Sequence, residues 1–555
     1  MSTVAATGLD CLYEHERQTP GLRSLSQAMS EHTVQDFTWA QVADGARRMA
    51  AHLQQQAWPA GSKIAILSKN CAWWLMSDLA IWMAGHVSVP LYPTLSAETI
   101  AQILAHSEAR ACFVGKLDGW AAMKPGIPAG MPCISYPLSP EDAKAGYPGW
   151  DAICAAQAPL AGNPVRAANE LCTLVYTSGT TGEPKGVMHS FGGFAWVARA
   201  MLALSPADAG DRALSHLPLA HVAERVVVEH AWLFAGVQVF FAHSLESFAA
   251  DMQRARPTIF FTVPRLWLKF QQAVHAKLPP ARLKALLRLP VVGGLLRRKI
   301  LRTLGLDQCR IAASGAAPMP ASLLAWYADL GLPVSEGLGM SENGVSHVTT
   351  PGELGQQGTV GRSLPGIDVR IDAGTGELQL RSPGMMLGYY KAPELTRQTF
   401  TEDGWLRTGD QVALDARGNL RVTGRLKELF KTSKGKYVTP APIEGKLGAH
   451  PAVEACVVAG AGAAQPLALA MLSAEAAAQP AEGLATQLGA HLEAVNATLA
   501  PHERLSCLVL TRTPWSVDNG LITPTFKVKR QRIEQLFGEH FEAWAGQGRQ
   551  VLWAD

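Results

Sequence analysis

Apolar residues along the first half of the chain recur with two alternating periods. The segment "TWAQVADGARRMAAHLQQQ" (38–56) carries them at helical spacing, with Thr38 placed to cap it. "SKIAILS" (62–68) is a short apolar run of the kind that forms a buried strand. "CAWWLMSDLAIWMAGHV" (71–87) is helical again, and "ARACFVG" (109–115) is strand-like. Another cycle runs through the strand-like "LCTLVYTSG" (171–179), a glycine-rich stretch and a helical run near "GGFAWVARAMLAL" (192–204). Strands alternating with helices predict a wound α/β domain with parallel strands.

The texture changes after residue 355. "GTVGRSLPGIDVRIDAGTGELQLRSPGMMLGYY" (358–390) has glycine turns between alternating segments, which predicts a β-rich subdomain. "GNLRVTGRLKELFKTSKGKYVTP" (418–440) has the charged character of a hinge. What remains is long enough for a small α/β domain of its own. Its Ala-, Gln- and Pro-rich part, 461–485, reads as low in complexity and peripheral.

Composition narrows the class. A chain of 555 residues exceeds the roughly 100–200 residues of one domain. With 48% hydrophobic and 17% charged residues it can bury a large core. The net charge of +3 does not point to nucleic acid. The cysteines at 11, 71, 112, 133, 154, 172, 309, 456 and 507 form no C-x-x-C pair, so no zinc or redox motif is indicated. Cys172 reads as a small core residue. The N-terminus has no basic start followed by an apolar run, and no stretch reaches the ~18 apolar residues of a spanning helix. A cytoplasmic protein is expected, and neither composition nor motif sets an oligomeric state.

Charge is distributed unevenly. Between Asp251 and Asp307 there are twelve Lys and Arg and no acidic residue. The rest of the chain is thereby left at −9. Within region 252–306, "LPPARLKALLRLPVVGGLLRRKILRTLGL" mixes leucine with basic residues. One reading is a solvated basic helix pair packed on the domain; the other is peripheral contact with an anionic membrane. Pro290 and the Gly293–Gly294 pair are expected to interrupt any single long helix.

The stretch "TSGTTGEPKG" (177–186) carries the candidate chemistry. It is not a Walker loop, which needs G-x-x-x-x-G-K-[ST], because Pro184 precedes Lys185 and Gly186 follows it. It does not fit G-x-G-x-x-G either. Glycines 179, 182 and 186 still let backbone N–H groups turn toward an anion. Thr177, Ser178, Thr180 and Thr181 add hydroxyls, and Lys185 adds charge. The alternative is a plain surface loop. Against it stands the buried strand that the stretch leaves, since α/β sheets bind ligands at strand ends.

"YTSGTTGEPKGV" resembles the signature of the acyl-adenylate-forming enzymes, the AMP-binding superfamily. Six further motifs follow in that family's order: "LPLAHVAER" (217–225), "IAASGAAPM" (311–319), "EGLGMSEN" (336–343), "GWLRTGD" (404–410), "GRLKELFKTSKGKYVTP" (424–440) and "NGLITPTFKVKR" (519–530). They span most of the chain. "KTSKGKYVTPAPIE" and "LPLAHVAER" are most similar to the long-chain acyl-CoA synthetase branch.

The resemblance implies a large N-terminal domain over 1–423 and a small mobile α/β domain over 424–555, hinged near 425–427. It implies two steps: a carboxylate attacks the α-phosphate of ATP, then coenzyme A takes the acyl group from AMP. ATP, Mg²⁺, coenzyme A and a fatty acid are the implied ligands. Thr177, Ser178, Gly179, Thr180, Thr181, Gly182 and Lys185 would hold the β- and γ-phosphates. Thr177 and Glu342 would be Mg²⁺ ligands, and Ser341 would meet the α-phosphate. Gly315, Ala316 and Ala317, with Glu336, Gly337, Leu338, Gly339 and Met340, would enclose adenine. Asp410 and Arg425 would hold the ribose.

Lys527 would be the lysine of adenylation, and Lys427 the hinge. Gly435, in "SKGKY", would replace Lys527 for the thiol step. His221 would border the acyl pocket, and "TVPRLW" (262–267) would shape the same region. Each has a plainer alternative. Glu342 could cap a helix, Asp410 a turn, Arg425 could form a surface ion pair, and His221 could be a core histidine bound to backbone. Lys527 could be part of a solvated basic edge. The sequence departs from the family at Leu338, where many relatives carry an aromatic residue against adenine.

Competing functions remain within and beyond the family: a ligase that loads a separate carrier protein, a medium-chain or aryl-acid ligase, a light-emitting monooxygenase, or an inactive nucleotide-binding scaffold. The chain shows no D-S-L carrier attachment motif. Lys527, Glu342 and Asp410 are all present, which disfavours the scaffold.

Overall fold

The computed structural model describes residues 6–178, 184–349, 359–517, 519–523 and 527–554. Gly179, Thr180, Thr181 and Gly182 of the expected phosphate-binding stretch lie outside them.

Two large sheets form the N-terminal part. The seven-stranded sheet has a parallel core of Leu171–Ser178, Val87–Leu91, Lys63–Leu67, Ala109–Val114 and Cys133–Ser135. Pro184–Ser190 and Gly388–Tyr389 extend it antiparallel. The nine-stranded sheet has a parallel core running from Val334–Met340 through Ile311–Ser314, Ile259–Thr262, Arg212–Ser215 and Gln238–Phe241 to Arg23–Ala28.

The helix Ala72–Met83 lies in the core that joins the two sheets, with all twelve residues buried. That explains why it is apolar on every side, where a surface helix would show one stripe. Trp39–Gln55 is such a surface helix. Thr38 Oγ1 accepts from the Gln41 amide, and Gln41 Oε1 accepts from the Thr38 amide at 2.9 Å, a reciprocal cap.

A four-stranded antiparallel sheet of Asp368–Ile371, Glu377–Arg381, Leu406–Leu414 and Leu420–Arg425 forms the β-rich part. A mixed four-stranded sheet of Val453–Ala459, Leu467–Leu472, Leu508–Thr511 and Val551–Trp553, antiparallel at its first pair and parallel at the next two, centres the small C-terminal unit. Helices Pro440–Leu447 and Ala481–Asn496 help to close its core.

Three expectations are corrected. The chain does not run from the glycine-rich stretch straight into a helix. "PKGVMHS" first returns as the strand Pro184–Ser190, with Pro184 as its first residue, where its missing N–H costs least. The segment 461–485 is not peripheral throughout, because Leu467–Leu472 is buried at every position in the middle of the C-terminal sheet. Of the expected breakers in the basic region, Pro290 opens a helix, but Gly293 and Gly294 lie inside it, in Pro290–Thr303. A Cβ at Gly293 would stand 2.5 Å from the Leu287 carbonyl oxygen, so glycine lets this helix close on Pro280–Leu287.

Candidate functional site

The ends of the parallel strands and the C-terminal unit enclose one large cavity of about 2530 Å³. Thr177 stands opposite Lys185 across the antiparallel pair, so both side chains share one face and line this cavity. The backbone of Ser178 pairs with Pro184.

The strand Val334–Met340 brings in the next group. Glu336 is buried, and its Oε1 accepts the Met319 amide at 2.9 Å; burial pushes its carboxyl up. That bond ties the strand to the loop of Gly315, Ala316 and Ala317, all on the cavity wall. Ala316 is held at φ +69°, a left-handed conformation that costs a non-glycine residue ~1 kcal/mol or more. Gly337, Leu338, Gly339, Met340 and Ser341 continue the wall. Gly339 lies at a register shift, and a Cβ there would meet the Gly344 carbonyl oxygen at 2.2 Å. Only glycine fits. Leu338 pairs with His347 and partly packs on the β-rich core.

Glu342 sits in the turn that joins Val334–Met340 to Gly344–Val348, so it caps no helix. Its Oε1 accepts from the Tyr389 hydroxyl at 2.6 Å, and its backbone oxygen accepts from the Met386 amide at 2.7 Å. Burial, then the Glu342 charge, raises the Tyr389 phenol and keeps it a donor. Beside it, buried His189 places Nε2 2.7 Å from the Ser341 carbonyl oxygen. Burial lowers this imidazole to about 4, so the ring is neutral and the proton sits on Nε2. Three bonds therefore fix the turn that carries Ser341 and Glu342.

Asp410 and Arg425 are partners across two antiparallel strands, with Arg425 Nε 2.9 Å from Asp410 Oδ1. The ion-pair alternative for Arg425 is thus realised, with the sugar-reading candidate as its partner. Asp410 is buried, which raises its carboxyl; the Arg425 and Lys527 charges oppose the rise.

The Lys527 amide donates to Thr523 Oγ1 at 3.0 Å. The side chain keeps contact with solvent, yet protein surrounds it on most sides. Its ammonium is lowered, first by desolvation and then by Arg425, while Asp410, Glu342 and Glu428 oppose. Lys185 is lowered by desolvation, then by Lys427, with Glu342 opposing. An anion between Lys185 and Lys427 would relieve their repulsion.

His221 caps Val222–Glu224, its Nδ1 accepting the Ala223 amide at 3.1 Å. Burial, then Lys527, lowers it to about 4. A neutral ring that accepts at Nδ1 carries its proton on Nε2. The backbone-bound alternative therefore holds, and the residue still lines the cavity. Thr262, Val263 and Leu266 of "TVPRLW" line it too. Gly435 does not. It occupies an exposed turn at φ +71° between Phe430–Lys431 and Tyr437–Val438.

No sequence pattern pointed to Tyr389, His189, or the network beneath His221. There Asn70 Nδ2 donates to Ser215 Oγ at 2.7 Å and the Leu217 carbonyl at 2.6 Å, and Asn70 Oδ1 accepts the Leu219 amide at 3.0 Å. Glu224 Oε1 accepts from Ser215 Oγ at 2.8 Å and the His216 amide at 3.1 Å. Burial pushes the Glu224 carboxyl up to about 8 from its ordinary 4.5. Between those values the folded chain keeps a proton that the unfolded chain has released, so stability falls as pH rises. Glu224→Gln removes this titration. The melting temperature of the wild type, measured against Glu224→Gln, should fall by about 2 °C or more from acidic to mildly alkaline buffer. A constant difference would contradict the assignment.

Among the described residues no group of three or more His, Cys, Asp or Glu could hold a metal. Among the lining residues, half-buried Glu342 supplies a carboxylate and Thr177 a hydroxyl. Such an oxygen pair suits Mg²⁺, which keeps several waters and shares its ligands with substrate phosphates.

A model described as AMP-binding enzyme matches residues 12–390, and one described as AMP-binding enzyme C-terminal domain matches 428–544. A long-chain-fatty-acid–CoA ligase of Mycobacterium tuberculosis is 31% identical over 585 residues, covering 96% of both chains. A long chain acyl-CoA synthetase of Arabidopsis thaliana is 28% identical, covering 89% of this chain and 84% of its own. Among solved structures, the A-PCP didomain of a carboxylic acid reductase from Segniliparus rugosus, in complex with AMP, superposes with a TM-score of 0.82 at 22% identity. It covers 98% of this chain and 83% of that one.

Proposed function

Because this chain belongs to the AMP-binding enzyme family, we propose that it activates a long-chain fatty acid with ATP and passes the acyl group to coenzyme A. The observation that carries this reading is the meeting of Lys527, Asp410, Arg425 and Glu342 with Thr177 and Lys185 around one cavity. The long-chain assignment is supported by the full-length similarity to the mycobacterial ligase. Apolar lining from Met201, Leu202, Val226 and Val227 supports it as well.

In the first step a carboxylate oxygen attacks the α-phosphorus of ATP. The bond to the bridging oxygen breaks, and pyrophosphate leaves. Negative charge builds on the α-phosphoryl oxygens, and fixed donors and cations stabilise it. Lys527 bridges the entering carboxylate and the α-phosphate. Asp410 and Arg425 hold the ribose hydroxyls, and the Gly315–Ala317 loop with Glu336–Met340 encloses adenine. Lys185 and the rest of the 177–185 stretch hold the β- and γ-phosphates. Thr177 and Glu342 would hold Mg²⁺, which would neutralise phosphate charge when bound. The Tyr389 bond keeps one Glu342 oxygen aimed. His221 Nε2–H borders the acyl carboxylate.

In the second step the sulfur of coenzyme A attacks the acyl carbon and AMP leaves; the thiol proton passes to solvent. Lys527 faces the cavity and Gly435 does not, an arrangement that suits the first step. Rotation of residues 424–555 about Lys427 would exchange the two. Lys427→Pro should therefore impair thioester formation more than adenylation. Equal loss in both half-reactions would remove Lys427 from the hinge.

Coenzyme A ligation across acetate, octanoate, palmitate and benzoate tests the whole reading. Palmitoyl-CoA should form fastest. No turnover of any acid longer than octanoate would refute the long-chain assignment. Adenylate formation without transfer to coenzyme A would favour a carrier-loading ligase.

A further inference from the structure

We propose that the corner joining the helices Pro280–Leu287 and Pro290–Thr303 docks on the surface of an anionic lipid bilayer. The two helices turn one side inward, where Leu283, Leu287 and Ile300 are buried against Val274, Leu278 and Trp326. Arg297 also turns inward, its Nε donating to the Asp329 backbone oxygen at 2.7 Å and its Nη2 to that of Leu287 at 3.1 Å.

The opposite side has a different composition. Leu289, Val291, Val292 and Leu295 are 48%, 74%, 46% and 68% exposed. They are four of the twelve large apolar side chains exposed among the described residues, and they fall within seven positions. Single exposed apolar residues need no explanation, whereas a contiguous apolar tip does. Val291, Leu295, Arg298 and Arg302 follow the i, i+4, i+7, i+11 spacing of one helix face. That face is apolar in its first turns and basic afterwards.

The rim is basic throughout. The side chains of Arg282, Lys284, Arg288, Arg298, Lys299 and Arg302 are exposed and make no hydrogen bond or ion pair among the described residues. A salt-bridged helix pair would place carboxylates among them, yet none occurs in sequence between Asp251 and Asp307. Apolar side chains at a tip with unpaired cations around it suit insertion at the headgroup–acyl boundary and attraction to anionic lipid. A nucleic-acid surface would use the cations and leave the apolar tip unexplained.

The surface is joined to the cavity. Leu266 lies on the cavity wall at the start of the helix Pro264–Lys277, and Val274 near its other end packs under the helix pair. A helix of 14 residues spans roughly 20 Å. The docked corner thus sits one short helix from where a membrane-borne fatty acid would be consumed. This purpose rests on the long-chain reading, but the test below does not.

Cosedimentation with phosphatidylglycerol vesicles and with phosphatidylcholine vesicles measures the docking without turnover. The full chain should bind the anionic vesicles and leave the neutral ones largely unbound. Each basic residue near an anionic surface contributes about five-fold in partitioning, so Arg298→Glu/Lys299→Glu/Arg302→Glu should weaken binding by ~100-fold or more. Val291→Asp/Leu295→Asp, at exposed positions, should weaken binding even at low salt. Both variants should keep the wild-type rate with detergent-dispersed acid, which shows that they fold. Binding retained by the charge-reversed variant overturns the proposal. So does equal binding to neutral vesicles, or a wild type that ignores both vesicles while binding RNA. Failure of the ligase reading would show instead as vesicle binding intact with no acid turned over.

Discussion

Lys527→Ala should slow acyl-adenylate formation by ~10²-fold or more, the loss expected when a positioned charge-stabilising donor is removed from a reaction that develops negative charge. Formation of the thioester from supplied acyl-AMP should stay near the wild-type rate. The split follows from geometry. Lys527 faces Asp410, Arg425 and Glu342 across the cavity, while the "SKGKY" turn around Gly435 is outside it. A residue serving only as a basic edge of the C-terminal unit would slow neither step. One serving only the fold would slow both. Single-turnover measurement of the two half-reactions separates the three outcomes, and equal loss in both would remove Lys527 from the adenylation role.

Arg225→Leu should cost the protein ~3–5 kcal/mol of stability, because it leaves the buried Asp78 and Glu229 without their shared cationic partner. Arg225 is fully buried in the "LPLAHVAER" segment. It pairs with Asp78 on the central helix, with Glu229 at 2.9 Å, and donates to Thr173 Oγ1 at 2.9 Å. Trp74, Trp82 and Phe194 surround the guanidinium. The same side chain therefore ties the segment behind His221 to both the central helix and the strand that leads to Thr177. Glu229→Gln should be far milder, within about 1 kcal/mol. Burial and the neighbouring Asp78 push the Glu229 carboxyl well up, toward the neutral form that glutamine imitates. Denaturant unfolding of both variants checks the pair. Comparable losses would show that Glu229 carries a full charge against Arg225, and an undisturbed Arg225→Leu protein would contradict the account of the triad.

What the sequence made legible were features set by neighbours in the chain. Thr38 caps the helix expected after it, and the apolar run at 71–87 holds the buried helix Ala72–Met83. The ordered motifs placed Thr177, Lys185, Glu342, Asp410, Arg425 and Lys527, which the fold brings to one cavity. What stayed hidden depends on distant partners. Tyr389 and Glu342 are 47 positions apart, and no spacing rule joins them. Asn70 and Leu219 are 149 apart. The strand Leu467–Leu472 was masked by its alanine-rich surroundings, although its burial between two strands is complete. "PKGVMHS" has too few apolar residues to announce a strand, and its pairing with Leu171–Ser178 supplies what its composition lacks. Gly293 fits inside a helix because Leu287 packs where its side chain would be. In each case tertiary contact overrode local preference.

The most direct test of the central claim is ATP–pyrophosphate exchange measured with and without palmitate. The enzyme should exchange label between pyrophosphate and ATP only when the fatty acid is present, and Lys527→Ala should abolish most of that exchange. Exchange that ignores the acid, or no exchange with any fatty acid under conditions where the folded protein binds ATP, would contradict the assignment of this cavity to fatty-acid adenylation.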